Sequence, residues 1–212
     1  MSGRATFFRI AAVILFTASG CAPAPESGTV LFQDDFSAAD SGWPVQQDVE
    51  AATGYVDGEY EIAVQVPQLT VWSIFDASYD DVIVKVAART AAGPEDNAFG
   101  VICRYQDDEN FYFMLVSADG FYGIGAVVAR ETHFIQGAAD VMDYSGDIPI
   151  GLVQNTITAA CIGSELTLTI NGVDLATASA PEFTSGKIGL IAKSFLEPGV
   201  EIRFDDLAVV QP

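Results

Sequence analysis

Phe99-Gly-Val-Ile-Cys-Arg-Tyr105, Gln106-Asp-Asp-Glu-Asn110 and Phe111-Tyr-Phe-Met-Leu-Val-Ser117 follow one another without interruption. Two apolar runs rich in aromatic and β-branched residues flank a polar cluster, the pattern of a β-hairpin. Paired so, the runs place Arg104 and Tyr112 on the same side of adjacent strands, Tyr112 facing away from Phe111 and Phe113 and Arg104 away from Cys103. The same period continues outward. Ala118-Asp119-Gly120 supplies a turn and Phe121 to Val128 the next strand. Upstream, Val82 to Arg89 reads as a central strand, and Tyr60, Ile62, Val64 and Val66 alternate with Glu61, Ala63 and Gln65 as in a half-buried one. Downstream, Thr156 to Cys161 and Leu166 to Ile170 flank Ile162-Gly-Ser-Glu165. Asn171-Gly172 is a strong hairpin signal, since both residues accept the positive φ of a type I′ turn. Val173 to Ala178, Lys187 to Ala192 and Val200 to Val210 complete ten or more short strands, with Gly137 to Gly151 as the long irregular loop. No helical stripe interrupts them, so the class is all-β, a sandwich, jelly roll or barrel.

Composition agrees and excludes two classes. The 212 residues carry 9 Lys+Arg against 29 Asp+Glu, a formal charge of −20, yet half are hydrophobic. An acidic disordered chain would lack the apolar residues to bury, and a nucleic-acid binder needs basic residues to neutralise phosphates. No nucleic-acid partner is therefore expected. One composition regime runs from residue 29 to 212, which reads as one domain.

Residues 1–20 read as a leader: Arg4 and Arg9 without an acid, then an apolar run from Ile10 to Phe16 too short to span a bilayer. Ala18-Ser19-Gly20-Cys21 resembles a bacterial lipobox, with Ala18 where Leu is usual. That resemblance implies that Cys21 is lipidated and becomes the first mature residue, anchored to a membrane; an ordinary signal peptide is the alternative. Residues 21–28, with Ala22-Pro-Ala-Pro-Glu-Ser-Gly28 after the Cys, then form a tether. Loss of Arg4 and Arg9 leaves 7 basic and 29 acidic residues, a mature charge of −22. Two cysteines remain, Cys103 and Cys161, and in an exported protein they are expected to form one disulfide, two buried thiols being the alternative.

Several segments carry a resemblance. Phe32-Gln-Asp-Asp-Phe36, Ser41-Gly-Trp43, Tyr55-Val-Asp-Gly-Glu-Tyr60, Gly100 to Tyr112, Leu166-Thr-Leu-Thr-Ile-Asn-Gly172, Ser185-Gly-Lys-Ile-Gly-Leu190 and Val200-Glu-Ile-Arg-Phe-Asp-Asp-Leu207 are similar, in order, to the concanavalin A-like jelly-roll domains of exported bacterial proteins. That group includes laminin-G-like modules, carbohydrate-binding modules and 3-keto-disaccharide hydrolase-like domains. The resemblance implies a two-sheet antiparallel jelly-roll sandwich over nearly the whole mature chain. Its motifs are framework residues, which specify architecture rather than activity.

Catalytic signatures are thin. His133 is the only histidine, no nucleophile elbow surrounds a serine, and one His with two Cys gives no zinc set. Adjacent acids such as Asp80-Asp81 point to opposite faces of a strand. Asp76 and Asp80 have the i, i+4 spacing seen in glucanases of this fold, but in a turn-like context. The calcium reading uses Asp34, Asp35, Asp205 and Asp206, at chain ends that pair side by side in this fold; capping of turns is the alternative. Sugars stack on aromatic faces while Arg, Asp and Asn reach hydroxyls. Trp72, Arg104, Tyr112 and Tyr122 are the ligand-binding candidates, with Tyr105 and Tyr144 as further aromatics. The expectation is a membrane-anchored recognition domain for a glycan or an envelope protein. A carbohydrate-active hydrolase and a purely structural lipoprotein stand as alternatives.

Overall fold

Alternation of buried and exposed side chains organises the fold strand by strand. The computed structural model describes residues 28–137 and 139–212. The expected leader, Cys21 and the tether up to residue 27 lie outside the described residues. In chain order come β1 (Val30–Asp34), β2 (Gln46–Gln47), β3 (Ala51–Val56), β4 (Glu59–Val64), β5 (Thr70–Tyr79), β6 (Val82–Ala92), β7 (Asn97–Asp107) and β8 (Asn110–Val116). They are followed by β9 (Phe121–Val128), β10 (Glu131–Phe134), β11 (Asp143–Tyr144), β12 (Asn155–Ile162), β13 (Glu165–Ile170), β14 (Val173–Ser179), β15 (Gly186–Ser194) and β16 (Val200–Val210).

Two antiparallel sheets form a jelly-roll sandwich. The first runs β14-β13-β12-β6-β16-β4-β3-β2, with β1 joined to β16. The second runs β10-β9-β8-β7-β15-β5, with β11 joined to β9. Ile157, Ala159 and Cys161 of β12 and Leu166, Leu168 and Ile170 of β13 point inward while the threonines between them point out. In β16 the inward set is Val200, Ile202 and Phe204, then Leu207 and Val209. The change of parity falls at a bulge where Asp206 has φ 50°. Asn171 (φ 53°) and Gly172 (φ 82°) join β13 to β14 as the sequence predicts.

From the second sheet, Phe99, Val101 and Cys103 of β7 and Tyr112, Met114 and Val116 of β8 close the same core. Cys103 and Cys161 form the expected disulfide, which ties the two sheets together across that core. Trp43 is buried with Phe36, Tyr60 and Phe75 near the start of the fold, a packing rather than a recognition role.

The chain reverses so that Gly28, Pro212 and the β7–β8 turn lie at one end of the sandwich. The β6–β7, β8–β9 and β15–β16 connections lie at the other.

Candidate functional site

The second sheet is apolar on both faces. Its outer face carries Ala98, Ile102, Phe111, Phe113, Leu115, Val127 and Ile191, a second apolar cluster separate from the core between the sheets. On β9 the outward positions next to it are Gly123 and Gly125. A Cβ on Gly125 would lie 2.1 Å from the Phe113 ring, and one on Gly123 2.7 Å from the Phe134 ring. The glycines thus let two phenyl rings lie down on the sheet, edge to face with centroids 5.6 Å apart. Phe111 packs against Trp72 at 5.4 Å and Tyr105 at 5.7 Å. Phe111 and Phe113 are each almost fully buried. Most of their transfer free energy, about 1.5–3 kcal/mol per side chain, is therefore realised without any ligand.

These rings floor a groove of about 620 Å³, within the range of small-molecule sites. Asp108, in the β7–β8 turn, accepts hydrogen bonds from Trp72 Nε1 (3.2 Å) and Tyr105 Oη (2.5 Å). Burial, and then the Asp108 contact, push the Tyr105 pKa up, so its hydroxyl stays a donor. Asp96 and Asp119 stand at the opposite end, where the Asn97 side chain accepts from the Ala118 amide (3.3 Å). Along one side, Asp140 accepts from the Phe134 amide (2.5 Å) and contacts His133 Nδ1 (2.8 Å). That contact raises the His133 pKa and lowers that of Asp140. Lys193, on β15, sits over the Phe195 ring at 5.0 Å, and burial lowers its pKa.

The carboxylates occupy the ends and rim, while the outward positions of β8, the strand crossing the floor, are Phe111, Phe113 and Leu115. Asp108 and Asp119 flank β8, whose seven residues span about 20 Å. Glycosidic cleavage needs two carboxyls roughly 5–10 Å apart.

Of the four residues expected to bind ligand, Trp72 lines this groove. The other three lie on the inner side of the second sheet. Tyr112 is fully buried; its Oη donates to Glu182 Oε2 (2.8 Å) and accepts from the amides of Glu182 (3.0 Å) and Phe183 (3.2 Å). Burial, with help from Glu182, pushes its pKa up to about 12. Tyr122 packs against the core from its edge. Arg104 is 1% exposed and has a left-handed backbone, φ 52°, which turns its side chain inward beside Cys103. Its guanidinium donates to the Phe183 carbonyl (2.9 Å) and to Asp81 Oδ1 (3.2 Å), joining the β14–β15 and β5–β6 connections. Arg104, Tyr112 and Tyr122 do not form an open face; the open face is the opposite one.

Three of the four acids of the calcium reading lie on the paired strands β1 and β16, Asp34 opposite Leu207, and Asp35 directly follows β1. They do not converge. Asp34 accepts from the Phe36 amide (2.8 Å) and Ser41 Oγ (2.5 Å), and Asp35 from Ser37 Oγ (2.6 Å). Asp205 accepts from the Asp206 amide (2.8 Å), and burial raises its pKa. Among the described residues no three His, Cys, Asp or Glu side chains are grouped to hold a metal ion. Asp76 pairs with Lys187 Nζ (2.6 Å), and Asp80 lines a separate cavity by Gln211 and Pro212; neither reaches the groove. Tyr105 packs against Phe111 beside the groove, and Phe111 and Phe113, which the sequence placed only on the face opposite Tyr112, form its floor. The glycine alternation Gly123-Ile-Gly125 is the signal that could have marked their face as outer.

No family model and no curated protein matches the chain. Solved structures do match, all at low identity. Carbohydrate-binding module CBM66 from Bacillus subtilis is 16% identical with a TM-score of 0.55, over 80% of this chain and 95% of that one. A Bacillus subtilis protein of unknown function with a galectin-like fold is 13% identical at 0.62, over 87% and 96%. The Bacillus licheniformis beta-glucanase is 10% identical at 0.57, over 88% and 100%. The concanavalin A-like jelly-roll fold expected from the sequence is therefore the fold of this chain.

Proposed function

We propose that the protein is an exported, lipid-anchored recognition protein. In this reading its domain, residues 29–212, binds carbohydrate in the groove on the outer face of the second sheet without cleaving it. The observation that carries this reading is the groove itself: the Trp72, Phe121 and Phe134 rings line it without being fully buried, the Asp108 carboxylate stands beside Trp72, and the floor strand carries no acid. Apolar sugar faces stack on such rings, and hydroxyls bond to fixed carboxylates. A glycan-binding module and a glucanase with the same fold lend the carbohydrate class support. A shallow site of this kind gives dissociation constants on the order of micromolar to millimolar.

A glycan array on the mature chain, followed by calorimetry, tests the site. Trp72→Ala is expected to weaken binding at least tenfold while thermal unfolding stays cooperative; equal binding by the variant overturns the site. The second reading, hydrolysis, draws on Asp96 and Asp119 sharing one end of the groove. Reducing ends released by wild type and lost in Asp119→Asn would establish it in place of passive binding. Anchoring rests on the sequence around Cys21. Cys21→Ser is expected to move the protein from the membrane to the soluble fraction, and unchanged membrane recovery would reject the anchor.

A further inference from the structure

In a strongly acidic chain most basic side chains are committed to carboxylates, and of the two that line the groove, Arg130 and Lys193, only Arg130 is. Five of the seven described basic side chains rest on carboxylates: Arg89 on Glu59, Arg104 on Asp81, Arg130 on Glu109, Lys187 on Asp76 and Arg203 on Glu61. Lys85 is exposed on the other sheet. Lys193 is half-buried in the groove and, among the described residues, its side chain makes neither an ion pair nor a hydrogen bond; its one charge contact is the Phe195 ring. Burial lowers its pKa. A partly desolvated ammonium without a counterion is a cost that an anion brought by the ligand would offset.

We propose that Lys193 reads an anionic substituent, a carboxylate or a sulfate, on an otherwise neutral glycan. The neighbourhood suits one such group. Thr70, the cross-strand partner of Lys193, adds a hydroxyl to the same wall. Asp96, Asp108, Asp119 and Asp140 surround the rest of the groove. They disfavour a second anion along the chain, and the net charge of −20 repels a continuous polyanion. That repulsion is screened over roughly 8–10 Å in physiological salt, whereas a group touching Lys193 is not. The ligand class is thus a glycan with sparse acidic units.

This inference rests on the groove being the glycan site, and the experiment separates the two. The mature chain is titrated with sparsely glucuronidated xylan oligosaccharides and their carboxyl-reduced counterparts. Sparsely sulfated galactan oligosaccharides and their desulfated forms make a second pair, and polygalacturonate serves as the continuous polyanion. Wild type is expected to favour the acidic member of at least one pair about tenfold or more, the pair that responds identifying carboxylate or sulfate. Lys193→Met is expected to abolish the preference, and polygalacturonate to bind more weakly than the sparse acid. Since Lys193 lacks a counterion, Lys193→Met is also expected to leave the melting temperature equal or higher. Equal affinity within both pairs, or a preference that survives Lys193→Met, overturns the proposal. Neutral binding lost in Trp72→Ala but blind to charge keeps the groove and removes the role of Lys193. No binding to any probe removes both.

Discussion

Gly125 sets how closely the groove floor lies on its sheet, because the Phe113 ring occupies the space where a side chain would begin. The ring cannot retreat: it is packed against Phe111 and Phe134, and the His133 carbonyl lies 2.8 Å from the same point. Gly125→Ala is expected to cost about 1–3 kcal/mol, the usual range for overpacking, measured by denaturant unfolding. Gly146→Ala, with nothing within 4 Å of the added carbon, is the control and is expected to be near neutral. At the groove's side, His133 and Asp140 form a clasp whose strength follows pH. The His133 pKa is raised by Asp140, so its contribution is complete below about 6.5, the unfolded value, and fades as pH rises through the folded value. Asp140 is lowered from 3.8, so its share is present above that value and fades as pH falls through the lower folded one. The clasp is expected to be tightest between these limits. NMR titration of the single histidine should show a pKa above the ordinary one that returns toward it in Asp140→Asn; a pKa indifferent to that change would discount the clasp.

Among elements, the β7–β8 hairpin decides which side chains face which way. Reading Gln106–Asn110 as the whole turn pairs Arg104 with Tyr112. In the fold the strands continue to Asp107 and Asn110, and Tyr112 lies opposite Cys103 instead. A one-residue slip exchanges faces, so Tyr112 goes inside with the disulfide. Arg104 would then have pointed outward but for its left-handed backbone, a local choice that period-two reasoning does not see. Elements whose outer face is polar were legible throughout: the threonines of β12 and β13 name their own outside. β7 and β8 are buried on both faces, so their alternation carries a period but no direction. The disulfide was legible from the cysteine count once the leader was read as an export signal that sets Cys21 apart. It closes a loop of 58 residues and is expected to contribute about 4 kcal/mol on the chain-entropy estimate. Reduction, or Cys103→Ala with Cys161→Ala, should lower the unfolding free energy by an amount of that order. A change below about 1 kcal/mol would show that strain or residual unfolded structure cancels the gain.

For the whole molecule, the fold followed from strand count, turn chemistry and the ordered framework motifs, whereas the location of the groove did not. A sandwich has two outer faces, and here one of them is lined like a core, so composition alone assigns its residues to the interior. Trp72 was the exception: it lies on β5, the edge strand of the second sheet, where an indole can reach over the floor to Asp108. The covalent link between the sheets has a mechanical meaning as well. Pulled from its two ends, the domain can pay out only the chain outside residues 103–161. About 200 Å of contour length, 58 residues at roughly 3.5 Å each, stays locked in until the disulfide is reduced. Under such a pull, the β8 and β9 strands that floor the groove lie within that protected segment and would be shielded from direct extension.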